Sequence, residues 1–133
     1  MPLQNLGEFE KLVNPKNYNK PLDVAGVPFA DLFNFLKSMI LIRKVEARIA
    51  IGRKEGVIGG PVHLGSGQEA IAVGVAACLQ STDRVFGAHR SHSHLLALNP
   101  EPYKLFAETL GRATGFSKGM GGSMHLYGET FGF

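Results

Sequence analysis

Six consecutive residues, His89-Arg90-Ser91-His92-Ser93-His94, concentrate most of the chemistry this chain can offer. Arg90 supplies a permanent cation whose planar fork of N–H donors suits a phosphate or a carboxylate. His89 and His92 can donate to anionic oxygens or carry protons near neutral pH. The segment also opens a predicted helix, and the free amides of a helix start favour negative charge. Zinc is the competing chemistry, because His89, His92 and His94 are closely spaced. The segment contains no carboxylate and has Arg90 in its middle, which argues against a cation. An anion site is the better reading, with no metal ligand assigned.

Two glycine-rich stretches could complete such a site. Gly59-Gly60-Pro61-Val62-His63-Leu64-Gly65-Ser66-Gly67 runs into Gln68 and Glu69, which begin a helical pattern. A glycine loop leading into a helix can cradle phosphate oxygens. The closing lysine and hydroxyl of a Walker A loop are absent, and no strand precedes it as a dinucleotide fingerprint requires. An ordinary tight connection fits the same residues equally well. The second stretch, Gly115 to His125, adds Ser117, Lys118 and Ser123 to five nearby glycines counted through Gly128. Either a mobile surface loop or a backbone that approaches a ligand closely is compatible with that composition. Cys78, the single cysteine, lies in an alanine-rich run and is expected to be a small core residue.

The elements that must position these residues follow from the apolar spacing. Residues 1–28, with Pro2, Pro15, Pro21 and Pro28, read as an extended arm without a core of its own. Phe29, Leu32, Phe33, Leu36, Met39 and Ile40 recur at helical spacing, predicting a helix over about 29–51 that Gly52 stops. A second helix is expected over about 67–80; it is apolar nearly all round and should therefore be buried. Asp83 to Ala88 is the strand candidate, placing His89 and Arg90 at a carboxyl end, where α/β sheets bind ligands. SHSHLLAL reads as a short helix capped by Ser91 or Ser93. Asn99 and Pro100 would start a last helix that Gly111 ends. One strand cannot form a sheet, so the layer architecture looks incomplete.

Composition narrows the class. The 133 residues are 44% hydrophobic and 19% charged, which suits a folded domain rather than a disordered chain. A formal charge of +3 fits a small anion, and the basic residues are not interleaved with aromatics, so nucleic acid ranks last as a partner. No apolar run approaches membrane-spanning length, and the start has no signal-peptide pattern, so a cytoplasmic protein is expected.

Three stretches together, GRKEGVIGGPVHLGSGQEAIAVG, DRVFGAHRSHSHLLA and ATGFSKGMGGSMHLYG, carry a family resemblance in order and spacing. They resemble the alpha subunit of the thiamin-diphosphate-dependent decarboxylating component of 2-oxo acid dehydrogenases, over residues 29–133. The resemblance implies an α/β thiamin-diphosphate-binding fold, seen here as a mostly helical N-terminal portion with one or two strands. It implies oxidative decarboxylation of a 2-oxo acid with acyl transfer to a lipoyl group. It further implies a heterotetramer of two alpha and two beta subunits, served by a lipoyl-bearing acyltransferase, with magnesium beside the diphosphate. By position, Arg90 would contact the diphosphate. His89 falls where many members have tyrosine, His63 would line the cofactor and substrate site, Gly128 would lie close by, and His92 is the catalytic candidate. The family's Gly-Asp-Gly magnesium motif does not occur in these residues, nor does its later histidine-bearing loop. The chain by itself is therefore expected neither to hold the cofactor tightly nor to turn over. The alternative is a non-catalytic assembly module built on the apolar helix.

Overall fold

The structure, a computed structural model, describes Lys16, Pro21 and residues 23–128. Most of the 1–28 arm lies outside the described residues. Among those described there are four α-helices: α1 (Phe29–Lys54), α2 (Glu69–Cys78), α3 (His92–Leu98) and α4 (Pro102–Thr109).

Helix α1 begins after Pro28, whose φ of −56° suits a helix entry, and carries Asp31 in its first turn and Arg53 and Lys54 in its last. These charges oppose the helix dipole at each end. It outruns its expected stop at Gly52 by two residues. Gly52 is instead a packing position: a Cβ there would lie 3.0 Å from Ile58 Cδ1. The chain turns at Gly56, where φ is +75° and the backbone N–H donates to Arg53 O.

Only the C-terminal half of α1 is embedded. Ile42, Val45, Glu46, Ile49 and Gly52 form its buried stripe. Ile42, Val45 and Ile49 join Ile58, Val73, Leu95, Leu96, Leu105 and Leu126 in one core, around which α1, α2 and α3 pack on one another. Helix α2 departs from expectation. It is shorter than 67–80, and only Glu69, Ala72 and Val73 are buried, while Ile71 and Val75 stand exposed. Cys78 is exposed as well and is not a core residue.

The expected strand over Asp83 to Ala88 is not formed, and no strand occurs among the described residues. The segment carries no ladder, and Phe86 is 94% exposed. A strand exists through hydrogen bonds to a neighbour, and here none is present. The caps differ too. The hydroxyl of Ser91 donates back to the Ala88 carbonyl and makes no cap bond, and Pro102, not Pro100, opens α4. No helix among the described residues is long and apolar enough to cross a membrane.

Candidate functional site

The turn before α2 and the segment before α3 meet along one open edge. His63, Gln68, Phe86, His89, Arg90 and His94 line a concavity of about 390 Å³ there. The rings of His63 and His89 are 5.4 Å apart between centroids and tilted by 33°. One Nη of Arg90 donates to the Leu64 carbonyl, tying the two segments together. A guanidinium carries five N–H donors, so this bond leaves donors available to an anion. The site's cations and imidazoles sit at a shallow rim, since Arg90 and His89 are exposed and His63 is half-buried.

His92 is placed differently from its neighbours. It is fully buried and does not line the concavity. Its Nδ1 lies 3.3 Å from Glu46 Oε1, and its Nε2 lies 2.9 Å from Ser123 Oγ and 3.0 Å from Ser123 O. Both ring nitrogens are thus engaged inside the protein. Gly128 is buried in the stretch after Leu126 and is not among the lining residues.

Three glutamates that sequence reading passed over hold the loops in place. Glu46, at 0% exposure, accepts Gly65 N–H at 2.9 Å and the Ser66 hydroxyl at 3.2 Å, besides facing His92. Burial pushes its carboxyl up, but the hydrogen bonds from His92 and Gly65 outweigh burial and hold it below the usual range. Glu69 receives Arg43 Nε at 2.5 Å and Nη2 at 2.9 Å, and also caps Gly67 N–H at 3.0 Å. The Arg43 bonds draw its pKa down to about 2 against the opposing effect of burial.

Glu108 settles the role of the second glycine loop. Fully buried on α4, its carboxylate accepts the N–H groups of Ser117 (2.6 Å), Gly119 (3.0 Å) and Gly121 (2.7 Å). Those amides converge on the protein's own anion and are not offered to a ligand. Glycine is needed at Gly121, where a Cβ would overlap the His125 carbonyl, and at Gly119, where φ is +80° and a Cβ would overlap Gly111. A signal for these glutamates existed in the sequence. Glu46 sits between Ile42 and Ile49 on the apolar stripe of α1, and Glu108 follows Leu105 by three positions on α4. A charge in core phase needs an internal partner.

The chain belongs to the family of dehydrogenase E1 components, which it matches over residues 37–131. It is 44% identical over 98 residues to the pyruvate dehydrogenase E1 component subunit alpha of Zymomonas mobilis, covering 73% of this chain and 28% of that protein. The mitochondrial subunit alpha-1 of the same component from rice, Oryza sativa subsp. japonica, is 39% identical over 84% of this chain and 28% of its own length. The subunit alpha of Rickettsia felis is 36% identical over 86% of this chain and 33% of its own length. The chain therefore spans about a third or less of the curated relatives it matches.

Proposed function

We propose that this chain forms the part of a 2-oxo acid dehydrogenase alpha subunit that holds the diphosphate of thiamin diphosphate along the His63–His89–Arg90 edge. The observation that carries the reading is the meeting of these residues on one concavity, in a chain that belongs to the E1 component family. When bound, thiamin diphosphate supplies the electron sink for decarboxylating the 2-oxo acid. The donor set suits the anion. Arg90 brings a fixed positive charge, His63 and His89 bring ring N–H donors, and the bond to Leu64 fixes where the guanidinium sits. No group of three His, Cys, Asp or Glu side chains placed to hold a metal occurs among the described residues, so no magnesium ligand is assigned to them. His92 acts in this reading from within the protein, by holding Ser123 and Glu46, and Gly128 is proposed to lie close to the bound cofactor.

The wider activity is oxidative decarboxylation of a 2-oxo acid with acyl transfer to a lipoyl group. The partners proposed for it are a second alpha subunit, a beta subunit and a lipoyl-bearing acyltransferase. The compartment proposed is the cytoplasm, with mitochondrial relatives such as that of rice marking the alternative. Titration of the 15N-labelled chain with thiamin diphosphate and magnesium tests the reading. Weak, saturable shifts centred on His63, His89 and Arg90, lost in Arg90→Ala, are expected. Tight binding that survives Arg90→Ala would refute it.

The second reading, a non-catalytic assembly module, is favoured by the exposed Ile71 and Val75 on α2. Light scattering tests it: a monomer at high concentration removes this second reading.

A further inference from the structure

We infer that Glu46 is a positioning residue for the anion-binding edge, acting at Gly65 directly and at Ser123 through His92. The inference rests on the diphosphate reading for what the edge binds, but not for how the edge is held. Glu46 lies on α1, outside the concavity, yet its carboxylate is the common acceptor for the turn that carries His63 and for the segment that carries Arg90. Gly65 is pressed into that junction. A Cβ there would lie 3.3 Å from Ser93 Oγ, 3.5 Å from Glu46 Oε1 and 3.7 Å from Arg90 O. The bond from Arg90 to the Leu64 carbonyl completes the join one residue earlier. Any shift of Gly65 therefore moves the acceptor to which the Arg90 guanidinium is fixed.

The far side of the relay follows from donor and acceptor types. An ionised carboxylate only accepts, so the proton facing Glu46 belongs to His92 Nδ1. Nε2 faces Ser123 alone: the hydroxyl at 2.9 Å can donate to it or accept from it, while the carbonyl at 3.0 Å only accepts. Every member is buried: Glu46 and His92 at 0% and Ser123 at 6% exposure. In such surroundings a bond lost at one end leaves an unsatisfied group at the other. Glu46 thus fixes three segments at once: the 63–67 turn, the start of α3 and the stretch at Ser123.

Glu46→Gln keeps the shape and removes the charge, and three measurements on the 15N-labelled chain read the result. The His92 ring nitrogens report the tautomer, hydrogen exchange reports the Gly65 amide, and titration with inorganic pyrophosphate reports the edge. The wild-type chain is expected to carry a proton on Nδ1. In Glu46→Gln the ring signals shift, the Gly65 amide exchanges about tenfold faster, and pyrophosphate affinity falls about fivefold, as expected when a charge-assisted bond becomes a neutral one. Ser123→Ala enters the relay from its other end, and it decides the question alone if Glu46→Gln fails to fold. It is expected to move the His92 Nε2 signal and to quicken exchange at Gly65, which Ser123 does not touch. Unchanged ring signals and unchanged Gly65 exchange in the folded variants would overturn the role of Glu46. A wild-type chain that ignores pyrophosphate, with both Glu46 readouts responding, would instead overturn the diphosphate reading and leave the positioning role standing.

Discussion

Replacing Glu108 by glutamine should unfasten the second glycine loop while leaving the helices in place. The carboxylate accepts Ser117 and Gly119 N–H on Oε2 and Gly121 N–H on Oε1. A carboxamide has one oxygen, so the best orientation keeps the first two bonds and turns an NH2 group towards the Gly121 amide. Leaving one buried donor unmatched costs about 1–3 kcal/mol. The two surviving bonds lose their ionic character, which removes roughly another 1 kcal/mol each. Relief from burying a charge offsets part of this. A net loss of about 3 kcal/mol is expected, large against the roughly 5–15 kcal/mol of a typical domain. Urea unfolding followed by circular dichroism measures it, and hydrogen exchange locates it at residues 117–121. A loss below about 0.5 kcal/mol, or exchange that quickens evenly over the chain, would refute the view that this carboxylate anchors the loop.

Three other expectations are simpler. Leu95 is fully buried in the core, so Leu95→Ala should cost about 2–5 kcal/mol in the same urea assay. Gly121→Ala should destabilise by about 1–3 kcal/mol, because the added Cβ overlaps the His125 carbonyl and the loop must shift. Glu69 has a folded pKa of about 2, below its ordinary 4.5. The stabilisation it brings is complete above pH 4.5 and is lost as pH falls from there through about 2. Acid titration followed by Glu69 carboxyl shifts should show this, and Arg43→Met should move the Glu69 midpoint upward; an unmoved midpoint would disprove the pairing.

Sequence periodicity located the four helices of the described residues because each reports on its own residues. Its errors fall where a distant partner decides. Gly52 was expected to end α1, but its small size serves Ile58 six residues on, and the turn waits for Gly56. Asp83 to Ala88 has strand-forming residues, yet a strand needs a neighbour to bond. The rim of the candidate site was legible because His63, His89 and Arg90 stand in recognisable glycine and histidine runs. Its supports were legible only as charges in core phase, without the partners they serve. Glu46 takes its partners from positions 19, 20 and 46 residues away, and nothing local to α1 announces them. His92 was read together with His89 and His94. The first turn of α3 sends it inward, where Glu46 and Ser123 claim both ring nitrogens.

The long reach of that histidine also bears on the order of events in folding. Its two ties close over separations of 46 and 31 residues. Closing loops of that size is entropically unfavourable until helices have condensed around the core, so these ties belong to the last stage of the reaction. Weakening them should leave the refolding rate almost unchanged and speed unfolding, since contacts absent from the transition state act on the unfolding limb. The rim is then expected to be the last region to assemble and the first to open, so that the stability the Glu46–His92–Ser123 chain adds goes entirely into lengthening its lifetime.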